Sequence, residues 1–88
     1  LIIVYTGQFK KDYKLASRQG KNPALLKDVV TRLISCQKLD SKYRDHKLSG
    51  SMKNYRELHL QPDWLLIYRL TETELILVRI GSHSELFK

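Results

Sequence analysis

The sequence predicts an α+β fold in which two N-terminal helices pack on one face of a small, mainly antiparallel sheet, in the order β-α-α-β-β-β. Three observations carry that expectation. Apolar residues recur at three- and four-residue spacing between positions 8 and 36, they alternate or run in short blocks between 55 and 80, and turn-forming residues separate these segments. A chain of 88 residues has material for one core, because a domain this short buries only about two-thirds of its unfolded surface. One domain over 1–88 is therefore expected, with no repeat, low-complexity tract or linker dividing it.

Leu1 to Tyr5 reads as a strand, too short for a signal-peptide core and without a basic leader. Thr6 supplies a cap oxygen for a helix from about Gln8 to Gln19, with Phe9, Tyr13 and Ala16 on one stripe and Gly20 as its stop. Lys10, Lys11, Lys14 and Arg18 make the other side basic. Asn22-Pro23 starts a second helix, since asparagine caps and proline needs no amide partner at the first helical position. Leu26, Val29, Val30, Leu33 and Ile34 give it a broad apolar face, and it is expected to reach Cys36 as a buried residue. A lone cysteine forms no internal disulfide, which suits a reducing, cytoplasmic setting.

From Gln37 to Asn54 neither period persists, and a long basic loop is expected; such loops are often functional, which draws attention to His46. Three strands follow, Tyr55 to Leu60, Leu65 to Leu70 and Leu75 to Ile80, joined by Gln61-Pro62-Asp63-Trp64 and Thr71-Glu72-Thr73-Glu74. Leu58 and Leu60 alternate with Glu57 and His59, so one sheet face meets the helices while the other stays open. In the last strand, strict alternation sends Ile76, Val78 and Ile80 one way and Leu75, Leu77 and Arg79 the other. Extended through Gly81, it sets His83 on the Arg79 side.

Sixteen Lys and Arg against nine Asp and Glu leave a net charge of +7, which favours a polyanionic partner, nucleic acid first and an acidic protein second. No apolar run approaches the roughly 20 residues of a membrane-spanning helix. A P-loop, a dinucleotide glycine fingerprint and a serine nucleophile elbow are all missing.

His46, His59 and His83 stand beside charged or turn residues rather than in an apolar stripe, which suits proton transfer near neutral pH. His59 and Asp63 bracket a turn, where a carboxylate can orient an imidazole or simply bond turn amides. Three histidines and Asp63 also suit a metal such as zinc, but their spacing is loose and no HExxH-like or cysteine pattern accompanies them. No metal and no cofactor are expected.

Three blocks carry a resemblance across essentially the whole chain: Tyr43-Arg44-Asp45-His46-Lys47-Leu48-Ser49-Gly50-Ser51, the stretch from Tyr55-Arg56-Glu57-Leu58-His59 to Asp63-Trp64 and Tyr68, and Arg79-Ile80-Gly81-Ser82-His83-Ser84-Glu85-Leu86-Phe87. Together they strongly resemble the YafQ-type toxins of the RelE/ParE superfamily, the mRNA interferases of type II toxin–antitoxin systems. The resemblance implies a RelE-like microbial RNase fold and a cofactor-free endoribonuclease that cuts translated mRNA in the ribosomal A site. It also implies neutralisation by a cognate antitoxin, the toxin being monomeric when free and hetero-oligomeric with that partner. Carried over by motif position, it gives catalytic or RNA-contacting roles to His46, His59, Asp63, Arg79, His83 and Phe87. Glu57 stands where the family has an acidic residue, and with Phe87, Lys47 and Lys53 it is expected to contact RNA. Lys47 departs from the proline of many relatives.

On this reading His83 and either His46 or His59 divide the acid and base roles, Asp63 holds an imidazole, and Arg79 neutralises the phosphate. Phe87 either stacks on a base or anchors the C-terminus in the core. Two rivals remain: a ParE-like toxin that binds a protein such as DNA gyrase, a class lacking the histidine set, and a plain basic RNA-binding module.

Overall fold

The computed structural model, described over residues 1–87, contains β1 (Ile2–Tyr5), α1 (Gly7–Arg18), α2 (Pro23–Ile34), β2 (His46–Lys47), β3 (Arg56–Gln61), β4 (Trp64–Leu70), β5 (Glu74–Gly81) and α3 (His83–Leu86). The strands form one sheet in the order β1-β5-β4-β3-β2. β1 lies parallel to β5, and the remaining neighbours are antiparallel. The expected α+β order is present, with β2 and α3 added to it.

Local chemistry sets the helix ends. Thr6 Oγ1 accepts from the Phe9 amide at 3.0 Å and donates to the Val78 carbonyl at 2.8 Å, so one hydroxyl both caps α1 and ties it to β5. Asn22 Oδ1 accepts from the Ala24 amide at 3.0 Å ahead of Pro23. Gly20, with φ +76°, takes the left-handed conformation just beyond α1 that an L side chain resists. The helices bury Phe9, Ala16, Leu26, Val29 and Leu33 against Leu58, Leu60, Leu66, Tyr68, Leu75, Leu77 and Ile80 of the sheet. Each such aliphatic side chain contributes about 1.5–3 kcal/mol of transfer free energy.

Three expectations are corrected. Cys36 is neither helical nor buried: α2 stops at Ile34, Ser35 caps it, and Cys36 is exposed with φ +57° as the chain turns away. The stretch from 37 to 54 is not a bare loop, since it holds 3-10 turns at Ser41–Tyr43 and Gly50–Met52 and the short β2. Strict alternation along β5 fails as well. Tyr68 pairs with Leu77 and Ile67 with Arg79, which leaves Val78 as an extra residue. This bulge shifts the phase, so Leu75, Leu77 and Ile80 all join the core and Arg79 reaches the opposite face.

That opposite face carries the site. Glu57, Ile67 and Arg79 form one register row across β3, β4 and β5, and His46 of β2 extends it as the partner of Glu57. His59, Leu65 and Gly81 form the next row. A second bulge, at Leu60, lies between the pairs His59 with Leu65 and Gln61 with Trp64.

Candidate active site

The three imidazoles are successive neighbours. His59 lies between the others, its ring centroid 6.5 Å from that of His46 and 5.8 Å from that of His83. Glu57, only 6% exposed, places Oε1 3.6 Å from Nε2 of both His46 and His59. Its carboxylate therefore balances positive charge on either ring. Leu65 and Ile67, 0% and 2% exposed, form an apolar floor in the same rows.

The backbone before β2 aims His46. Arg44 adopts φ +50° and ψ +42°, a left-handed conformation that costs about 1–2 kcal/mol for a residue with a Cβ. Its carbonyl accepts from Nδ1 of His46 at 2.7 Å. Nδ1 must carry the proton in that bond, so Nε2 holds the lone pair of the neutral ring. The intervening Asp45 is clamped, its Oδ1 accepting from the Tyr68 hydroxyl at 2.6 Å and from Arg56 Nε at 3.2 Å. Burial, then the Asp45 hydrogen bond, push the Tyr68 phenol well above its usual range, which keeps it a donor.

A different device aims His83. Ser82 Oγ accepts from the Glu85 amide at 3.2 Å while Glu85 Oε1 accepts from the Ser82 amide at 2.8 Å, a reciprocal capping box that opens α3. Gly81 lets α3 fold back, because a Cβ there would stand 3.0 Å from Glu85 Oε1 and 3.3 Å from Leu86 Cδ2. Asp63, on the β3–β4 turn, completes the arrangement: Oδ1 accepts from the His83 amide at 3.0 Å and from its Nδ1 at 2.8 Å. These two bonds, the backbone one foremost, hold the Asp63 carboxyl below the usual carboxylate range.

Residues 1–88 match the family described as "Bacterial toxin of type II toxin-antitoxin system, YafQ". The chain belongs to the YafQ toxin family. It is 46% identical over 86 residues to the mRNA interferase toxin YafQ of Escherichia coli K12, covering 97% of this chain and 94% of that one. The YafQ chain in a crystal structure of the Escherichia coli DinJ–YafQ complex superposes with a TM-score of 0.90 at 46% identity, covering 98% of this chain and 97% of that chain. A metal-bound toxin from Helicobacter pylori gives a TM-score of 0.93 at 47% identity over 99% of both chains.

In this YafQ-family fold, the candidate residues separate into a cluster and outliers. His46, His59 and His83 converge with Glu57 and Asp63. The carboxylate expected to steady an imidazole across the β3–β4 turn does so for His83, not for His59, which is held by Glu57 instead. Arg79 starts in the row of Glu57, but Nε and Nη2 bind Asp12 at 3.0 and 3.1 Å, and the same carboxylate accepts from the Ile80 amide at 3.2 Å. Lys47 and Lys53 lie elsewhere, lining a cleft with Asn54, Arg56 and Arg69; neighbours in a strand face opposite ways, so Lys47 turns from the side His46 faces. Phe87 is 46% exposed at the end of α3 and is no core anchor. Asp12, Asp45 and Tyr68 hold the site together and were not singled out from the sequence. Among the described residues, no group of three or more His, Cys, Asp or Glu is arranged to hold a metal ion.

Proposed function

We propose that the chain is the endoribonuclease toxin of a type II toxin–antitoxin pair and cuts translated mRNA in the ribosomal A site by metal-independent acid–base catalysis. The supporting observation is the set of three neighbouring imidazoles in which His46 and His83 both have Nδ1 engaged, by a carbonyl and by a carboxylate. Each then presents Nε2 for proton exchange.

In the proposed reaction the ribose 2′-oxygen attacks the adjacent phosphorus as His46 or His83 removes its proton. The bond from phosphorus to the 5′-oxygen breaks as the other imidazolium protonates that oxygen. The products are a 2′,3′-cyclic phosphate and a 5′-hydroxyl. His59, between them and backed by Glu57, supplies positive charge to the phosphorane, and Arg79 adds the part of its guanidinium not taken by Asp12. The exposed Phe87 ring stacks on a base, and Lys47 and Lys53 bind phosphates further along the RNA.

Relatives named mRNA interferase favour cleavage over a gyrase-binding role. Complexes of DinJ with YafQ favour an antitoxin partner, and the +7 charge favours one with an acidic segment. No helix among the described residues is long and apolar enough to cross a membrane, in keeping with action on cytoplasmic ribosomes.

The test is single-turnover cleavage of ribosome-bound mRNA. His83→Ala should lower the rate about 10²–10⁴-fold, the usual contribution of one positioned acid or base. An unchanged rate rejects the assignment. Wild-type cleavage lost after the toxin alone is stripped with a transition-metal chelator, and restored by zinc with magnesium held constant for the ribosome, rejects the metal-free route.

A further inference from the structure

We propose that the cavity beside His59 is a nucleotide subsite that reads the base next to the scissile phosphate, with Gln61 as the selecting residue. This deepens the endoribonuclease reading and rests on it.

The cavity exists because β2 is so short. It pairs only with Arg56 and Glu57 of β3, so beyond Glu57 the outer edge of β3 meets the 3-10 turn at Ser41–Tyr43 instead of a strand. A space of about 340 Å³ opens between that turn and the β3–β4 hairpin, walled by His59, Gln61, Pro62, Lys42 and Arg44. This volume is at the small end of the roughly 300–1,000 Å³ found for small-ligand sites, and suits one nucleotide.

Its wall includes His59, the residue that bears the middle imidazole. An RNA strand whose phosphate lies against His59 must therefore set a flanking nucleotide at the cavity mouth. Charge fits that occupant: Lys42 and Arg44 are exposed cations, Lys42 Nζ lies 5.2 Å above the Tyr43 ring, and no carboxylate is among the lining residues.

The end of β3 supplies the polar reader. Leu58 and Leu60 face the core, so alternation leaves Gln61, the next residue, exposed at the strand end, where the bulge pairs it with Trp64. Its amide offers a donor and an acceptor together, the pattern that base edges match. Pro62 beside it is exposed and gives an apolar surface for the base plane.

The experiment uses ribosomes programmed with mRNAs that carry each of the four bases at the positions flanking the cut, with cleavage followed at subsaturating toxin. The wild-type chain should prefer one base at one flanking position by about tenfold or more, within the range of one good bidentate base contact. Gln61→Ala should reduce that preference to below about threefold, again on the scale of losing such a contact. Gln61→Glu, which lacks the amide donor, should move it toward bases presenting an amino group. Lys42→Ala should weaken kcat/KM evenly for all four bases and lower its salt dependence by about one counterion.

Wild-type preference retained in both Gln61 variants, or equal rates for all bases in the wild type, overturns the subsite and leaves the nuclease reading standing. A wild-type chain that generates no new RNA ends overturns both.

Discussion

Replacing Asp63 separates two things its carboxylate does for His83, orienting the ring and carrying a charge. Oδ1 alone receives both the His83 amide and its Nδ1, at 3.0 and 2.8 Å. In Asp63→Asn the side-chain oxygen can keep both bonds while the amide nitrogen turns to solvent. The wrong-tautomer penalty that an amide imposes when its NH2 must face the ring therefore does not arise. What goes is the charge, and at a side chain 68% exposed water and salt screen it, so the expected fall in rate is only about 3–10-fold. Asp63→Ala removes the acceptor too, freeing an imidazole that is itself 54% exposed. The expected fall is then about 10²-fold, the lower end for a mispositioned acid or base. Single-turnover rates at saturating toxin measure both variants, and the ring nitrogens of His83 report the tautomer by NMR. Equal losses in the two variants, or a wild-type rate in Asp63→Ala, would refute the orienting role.

Two further predictions concern the scaffold. Burial opposes ionisation of Asp12, but hydrogen bonds from Arg79, Gln8 and the Ile80 amide, with the Arg79 charge, outweigh it and hold the carboxyl below its usual range. Its stabilisation is therefore complete above the unfolded value of about 3.9 and disappears as pH falls through the lower folded value. Asp12→Asn should cost about 1–3 kcal/mol at pH 7, and thermal melts should show the gap from wild type narrowing as pH falls below the ordinary carboxylate range; a constant gap would contradict this. Gly81→Ala places a Cβ against Glu85 and Leu86, so it should cost about 1–3 kcal/mol and slow cleavage by displacing α3 with His83. A lowered melting temperature with an unaltered rate would mean that α3 does not set His83.

What the sequence made legible is what depends on near neighbours. Thr6, Gly20 and Asn22-Pro23 mark helix ends because capping is settled within a few residues, and the stripes of Phe9 and Ala16 or of Val29 and Leu33 survive into the core. The bulges were invisible: one added residue at Val78 leaves each half of β5 alternating, so only pairing with β4 reveals the change of phase. Cys36 continues an apolar helical pattern, and nothing in its own chemistry signals the turn after Ser35. Asp12 sits among lysines on a polar helix face and resembles a solvated charge until Arg79, 67 positions later, is brought beside it. The histidines were legible as residue types suited to proton transfer. Their order in space was not, since Asp63 is nearer in sequence to His59 yet serves His83, whose position depends on the Ser82–Glu85 box.

The apolar floor explains why these histidines are not equivalent probes. Leu65 and Ile67 are fully covered although they lie on the face that bears the site, so the polar side chains above them act partly as a roof. Low polarity beneath it strengthens attraction between Glu57, the imidazoles and a phosphate. It also makes truncation of a roof residue a packing change. His59, whose side chain is 15% exposed, belongs to that roof, and replacing it alters floor and charge together. His83 is 54% exposed and held from outside by Asp63. Its loss therefore reports on chemistry with little change in stability, which is why it carries the decisive substitution.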